Sequence, residues 1–507
     1  MNFSDYRQDF AAYSSAIELA HYQHRAGFEP ELRTEHIYER YGDLFTLEAI
    51  EELKTARDET NAHLETERAG LHALYGLACI AYLDHRAREL TEERARCEAA
   101  LRVNWDGMGL PPSGVPRLLA NEPLAARRRQ LAARWSETLA ECNDLRAARF
   151  ESFHESARTL GFDSYRQLFA EITGTDHEKL VHSTNAFLES TQDAYTSALA
   201  RAIERDLPGV APADADYADF YYFQRLSRLD QFFPADEALK TYASAMKGLG
   251  IRVERQQNVR IDDEPRPHKN PRAACFRIQP PDDVRLLLAP VGGPYDYTAL
   301  FHEGGHAQHF AWCSRELFKQ HPEFIYAPDQ STTESYAFLF NHLLLDAGWL
   351  IEYRPGAGPE RARAIVRDLA IVTTHQVRRL CAKLAYEISL HDAASMRSAQ
   401  LAETYASLLT DATGFRRTSS LYLSDVDDGF YAAAYLRALA FEAGLREYLR
   451  TRYGRRWWAS HKAGDELIDL WNTASRYNVE ELARLIGFGE ISFELLAETL
   501  IEAMNGT

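Results

Sequence analysis

Apolar residues recur at three- and four-residue intervals along most of this chain, the spacing of helices that bury one face. Phe10, Tyr13, Ile17 and Ala20 form one such face, and Leu44, Leu47, Ile50 and Leu53 form another. Arg86 to Leu101 mixes glutamates and arginines at short spacing and reads as a helix with a solvated charged face. Asn104 to Pro116, dense in Gly and Pro, is expected to be a loop. Helical pattern resumes from Ala125 towards Leu160, with Arg127 to Arg129 read as a solvated basic turn. Gly161 stops it, and Asp163 with Ser164 starts the next helix. A further long helix spans Asp176 to Asp206 and is closed by Pro208 and Gly209.

From Val210 to Phe223 the composition shifts, small and acidic residues giving way to the aromatic run Phe220 to Phe223. The main boundary is placed here, between a helical N-terminal lobe (1–209) and a second region (210–507). Tyr221 to Phe233 and Ala235 to Lys247 read as helical. Ile251 to Glu254, Ala274 to Ile278 and Val284 to Ala289 are short, apolar and bounded by Pro, Gly or Asp, so they are predicted strands. They make a small sheet of three or four strands directly before a helix that starts at Asp296 or Thr298 and runs towards Phe318. Beyond it the chain is helical again, through Thr332–Trp349, Pro359–Leu390, Gln400–Thr410 and Gly429–Arg452. The fold class is therefore mainly α, two helical lobes with one small sheet.

Composition narrows the function classes. The 507 residues carry 57 basic and 75 acidic side chains, a net charge of −18. That balance argues against nucleic acid, which needs a basic footprint, and disfavours an anionic membrane surface. The opening MNFSDYRQDF does not read as a secretory signal, and no apolar run is long enough to span a membrane. The six cysteines (Cys79, Cys97, Cys142, Cys275, Cys313 and Cys381) are scattered and are expected to be reduced, packed thiols of a cytoplasmic protein.

The stretch FHEGGHAQHF, Phe301 to Phe310, carries the chemistry. His302 and His306 are four apart, so both imidazoles leave one helix face and can share a tetrahedral Zn²⁺. Glu303 beside them is placed to act as general base on water, the logic of the HExxH motif. A third ligand is needed, and Glu334 in STTESYAF sits near the start of the next helix. His309 continues the same face but lies about 10 Å along from His302, which favours a supporting or packing role over ligation.

TALFHEGGHAQHF resembles the TLxHExGHxxH signature of the thimet oligopeptidase and oligoendopeptidase family of zinc peptidases. CFRIQPPDDVRLLLAPVGGPYDYTALFHE looks like that family's strand–turn–helix approach, and GFYAAAYLRALAFEAGL like its late tyrosine-bearing helix. The resemblance implies a zincin-like fold with a substrate cleft between the lobes. It makes His302, His306 and Glu334 ligands of one zinc per chain, and Glu303 the general base. Tyr431 and Tyr435 match tyrosines that hydrogen-bond the oxyanion or substrate, and four-residue spacing puts them on one helix face. The family's histidine five residues before the first of these tyrosines is here Val426, followed by Asp427, Asp428 and Gly429. Val284 to Ala289, followed by Gly292 and Gly293, is a candidate edge strand that could pair with an extended peptide.

These readings point to a zinc metallopeptidase acting on short oligopeptides. A zinc-containing peptide-binding protein with weak or lost chemistry is the alternative that Val426 raises, and a helical scaffold with a coincidental HExxH is a third.

Overall fold

A computed structural model describes residues 1–506. Helix dominates, as the hydrophobic periodicity predicts, and there are two small sheets where one is expected. Among the described residues no helix is long and apolar enough to cross a membrane. The chain divides into two compact units, each drawn from three segments. Among the described residues, unit 1 comprises 1–80, 228–365 and 437–496, and unit 2 comprises 81–227, 366–436 and the segment from 497 onward. A single division at 209/210 does not describe this grouping. The composition shift there marks a change in local pattern, whereas helices group by complementary faces wherever they lie in the chain.

Unit 2 begins its sheet structure early. Strands β1 (Val103–Trp105) and β2 (Met108–Leu110) pair antiparallel as a hairpin. They replace part of the loop expected over 104–116, and the helix Val115–Asn121 closes that stretch. Asp106 and Gly107 both adopt positive φ, 50° and 79°, as a two-residue primed turn requires. Three-residue strands are too short to show alternation; the Asp-Gly pair was the available signal. Cys97 and Cys142 are bonded to each other, which corrects the expectation that all six cysteines are reduced. They lie 45 residues apart, and the packing of helix Arg88–Ala100 against Asn143–Thr159 brings their α-carbons to 6.2 Å.

Arg128 corrects a second expectation. It is not solvated but shares the inner face of helix Ala125–Ala140 with Leu131 and Ala132. Its Nη2 donates to Asp219 Oδ1 at 2.7 Å, and both side chains are all but fully buried. The long helix His177–Asp206 is tied to Gly358–His391 through Arg378, whose Nη1 donates to Leu188 O and Thr191 Oγ1, each at 2.7 Å.

Unit 1 holds the other sheet: β3 (Val259–Asp262), β4 (Ala274–Gln279) and β5 (Asp283–Leu287), in the order β3–β5–β4. β3 runs parallel to β5 and β4 antiparallel to it. Two predictions change. Ile251–Glu254 is not a strand; Val253–Arg255 is a 3₁₀ turn, and Ile251 and Val253 are buried as connecting apolar residues. The stretch starting at Val284 is the central strand rather than an edge, because β3 arrives beside it; the open edge nearest the motif is β4.

One face of β4 (Ala274, Phe276, Ile278) packs with Leu287 on Leu19 and Tyr22 of the helix Phe3–Arg25 and on its C-cap residue Ala26. The motif helix, Pro294–Ala311, packs against β4 and β5. Its start is shaped by Asp296, whose carboxylate accepts the N–H groups of Val291 and Gly292. It ends before Phe318, since Ser314 caps a separate short helix, Arg315–Gln320, by accepting from Leu317 N–H.

Candidate metal centre

Helical spacing places the imidazoles of His302 and His306 on one face of Pro294–Ala311, their ring centres 5.0 Å apart. Glu334 enters from the first turn of helix Ser331–Asn341. Its Oε2 lies 3.3 Å from His302 Nε2 and 3.5 Å from His306 Nε2. All three donor atoms fall within 4.8 Å of one another, a group that could hold a metal ion. Zinc bonds of about 2.0–2.1 Å in a tetrahedral frame put neighbouring donors about 3.3 Å apart. Two nitrogens and one carboxylate oxygen at these separations fit that ion in both chemistry and spacing.

The helices can approach this closely because the middle of the motif is two glycines. A Cβ on Gly305 would lie 2.7 Å from Ala337 Cα and 2.8 Å from Tyr336 O on the Glu334 helix. One on Gly304 would lie 2.4 Å from the ring of Tyr242, whose hydroxyl donates to Gly304 O at 3.0 Å. Thr333, next to Glu334, places its Oγ1 2.8 Å from His306 Nδ1. With Nε2 turned to the shared point, Nδ1–H donates to that hydroxyl and fixes the ring.

Electrostatics follow the same geometry. Burial would lower the His302 pKa, but the hydrogen bond and charge of Glu334 outweigh it and the value is raised. Burial would raise Glu334, but His306 and His302 hold it far below the usual carboxylate range. Without a metal, the group therefore shares protons where it would otherwise share a cation.

Glu303 points to the sheet. Its Oε2 accepts the backbone N–H of Cys275 on β4 at 2.8 Å. Sequence spacing could not show this contact, since it joins residues 28 apart through the open edge of a strand. His309 stands apart from the donor group, fully buried between Phe310 and Tyr336, ring centres 5.1 and 4.9 Å away. Burial, with the charge of His306, pushes its pKa down to about 3, so it is a neutral packing residue. His342, two turns beyond Glu334, is buried as well; its Nδ1 lies 2.7 Å from Glu442 Oε2, and Arg446 donates to the other oxygen at 2.8 Å.

Tyr431 and Tyr435 open the helix Tyr431–Tyr453, half-buried, their rings edge-to-face with centres 4.8 Å apart. They belong to unit 2, whereas the donor group and Glu303 belong to unit 1. The residues around Val426 are held by charge pairs within unit 2. Asp427 meets Lys383 at 2.7 Å and its N–H donates to Glu387 at 2.8 Å. Asp428 takes both arms of Arg149, at 2.8 and 2.6 Å, and Gly429 N–H donates to the Tyr165 hydroxyl at 2.9 Å.

No protein-family model matches the chain, and no curated protein matches it by sequence. Among solved structures, it is similar to PZ peptidase A determined with an inhibitor, with TM-score 0.64 and 13% identity over 98% of this chain and 91% of that one. It is also similar to a protein designated oligoendopeptidase F from Bacillus anthracis strain Ames, with TM-score 0.66 and 14% identity over 98% and 89%. Along nearly its whole length, then, the chain has the fold of these two peptidases.

Proposed function

We propose that this chain is a zinc-dependent metallopeptidase that hydrolyses short oligopeptides. The observation that carries the reading is the convergence of His302, His306 and Glu334 at tetrahedral-edge spacing with Glu303 beside them. Zinc held there would supply a Lewis acid that polarises the scissile carbonyl and acidifies a water. The Cys275 N–H fixes one oxygen of Glu303, so the other takes the proton from water and passes it to the leaving amine. Tyr431 and Tyr435 donate phenolic hydrogen bonds to the oxyanion or to the substrate, a role supported by the family resemblance and by their shared helix face. The peptidase fold of both structural relatives supports oligopeptides as the substrate class.

A second reading, a zinc-containing peptide binder with little turnover, is favoured by Val426 and by the charge pairs that hold its neighbours. One experiment decides between them: incubation with a mixed peptide library, with and without chelator, read by mass spectrometry, on the native chain and on Glu303→Gln. Chelator-sensitive cleavage by the native chain is expected. Glu303→Gln should keep about one zinc per chain and lose on the order of 10³-fold or more in turnover. Full activity in Glu303→Gln rejects the mechanism, and zinc without cleavage in the native chain selects the binder.

A further inference from the structure

The helix that brings Glu334 to the donor group is fixed residue by residue over its first turn. Ser331 N–H donates to Asp329 Oδ1 at 3.0 Å, and its hydroxyl donates to Oδ2 at 2.9 Å. Thr332 Oγ1 donates to Tyr477 O at 3.0 Å, and Thr333 Oγ1 lies 2.8 Å from His306 Nδ1. All three residues are buried, as is Glu334. The first N–H groups of a helix have no partner within it, and the side chain of Gln330 at the N-cap accepts none of them. Asp329 takes that role for Ser331, and a negative charge suits this end of a helix.

Asp329 is held in turn by Arg437. From the helix Tyr431–Tyr453, Arg437 Nη1 donates to Asp329 Oδ2 at 2.9 Å. Its Nε and Nη2 donate to the two oxygens of Glu480 at 2.9 and 2.6 Å. Glu480 stands in the first turn of helix Val479–Leu485, whose cap Asn478 exchanges hydrogen bonds with Glu481. Asp329, Glu334, Arg437 and Glu480 all belong to unit 1. Burial would lower the pKa of Arg437, but the charges of Asp329 and Glu480 outweigh it and the value is raised. Three donors in one plane fix the direction of both carboxylates as well as their distance. A buried ion group adds little net stability over apolar packing of the same volume. What this one supplies is a defined place for Asp329, and with it for the start of the helix that carries Glu334.

We infer that Arg437 is a positioning residue of the metal centre: acting through Asp329 and Ser331, it sets where Glu334 presents its carboxylate. This inference rests on the zinc reading above. Glu334 lies three residues beyond Ser331, a rise of about 4.5 Å, so a shift at the helix start carries directly to the ligand. Metal–donor bonds hold to within about 0.2 Å of their ordinary lengths, which leaves such a shift little tolerance.

The test measures zinc affinity by competition with a chelating dye, so that nothing depends on turnover. The absorption spectrum of the Co²⁺-loaded protein reports the donor geometry, and urea unfolding reports stability. Arg437→Met should weaken zinc binding about 10- to 100-fold and alter the Co²⁺ spectrum. Arg437→Lys, which keeps the charge, should recover part of the affinity. Asp329→Asn keeps an acceptor for Ser331 N–H but loses the charge that faces Arg437, and should weaken zinc by about threefold or more. Arg378→Met removes an equally buried arginine from unit 2 and should lower the urea midpoint with zinc affinity unchanged. Native zinc affinity and an unchanged Co²⁺ spectrum in folded Arg437→Met overturn the inference. So does an equal loss of zinc affinity in Arg378→Met, which would trace the effect to stability alone. If Arg437→Met does not fold, native affinity in Asp329→Asn overturns it instead. A native chain that binds no zinc overturns the metal reading itself, and this inference with it.

Discussion

Two buried clusters in this molecule are each built around one carboxylate and end differently. In unit 1, one carboxylate faces two imidazoles within 3.5 Å. In unit 2, Asp425 meets Arg379, Arg417 and Lys383 and accepts from the Tyr405 hydroxyl at 2.7 Å. Burial opposes ionisation of Asp425, but Arg379, Lys383 and Arg417 hold it far below the usual carboxylate range. The second cluster is completed by the chain's own cations and is structural. In the first, two imidazoles face the carboxylate, a donor set that could hold an ion from outside. Imidazoles around one carboxylate at tetrahedral spacing suit a metal; matched fixed charges suit a scaffold.

The largest expected effect tests the first half of that contrast. Glu334→Gln should reduce bound zinc from about one equivalent to less than about 0.1, measured by elemental analysis after gel filtration. Retention of zinc would erase the distinction. Asp425→Asn attacks the other half, since it leaves Arg379, Arg417 and Lys383 short of a buried counter-charge. Denaturant unfolding should show a loss of about 3 kcal/mol, while zinc content stays unchanged.

The smallest effect is a pH dependence at the rim of the second cluster. Glu387 is pushed up to about 8, chiefly by burial, with Lys383 opposing. Its folded-state pKa lies above its ordinary value of 4.5. The native state therefore holds a proton that the unfolded chain has released, and stability falls as pH rises between about 5 and 8. Glu387→Gln keeps an acceptor for the Asp427 N–H and should remove about 1 kcal/mol or more of that fall. A slope unchanged in the variant would mean that another group carries it.

What could be read from the sequence was whatever local geometry encodes. Four-residue spacing put His302 and His306 on one face, and the length between His306 and Glu334 allowed a second helix to return. Strands β4 and β5 before the motif helix were legible as runs of apolar residues between breakers, whereas β3 was not, and the apolar run at Ile251–Glu254 is no strand. Strand order was not legible either, because β3 reaches the middle strand from outside the hairpin and left Val284 central. The Asp106–Gly107 hairpin was overlooked in a segment dominated by Gly and Pro. Arg128 looked solvated because its partner, Asp219, lies 91 residues on. Cys275 and Thr333 carried no signal of their own, since each acts through a contact made only when distant elements pack.

Gly305 has a consequence for how a metal held at this site would relate to folding. Because the helices that carry the two histidines and Glu334 meet main chain against main chain at Gly305, their separation is a property of the backbone. In small zinc domains the metal gathers its ligands and the fold collapses without it. Here the frame is finished by helix packing, and the donors already stand 3.3 and 3.5 Å apart. On the metallopeptidase reading, an ion held there would be a guest on this frame, and its exchange for another of similar size would not require the chain to refold.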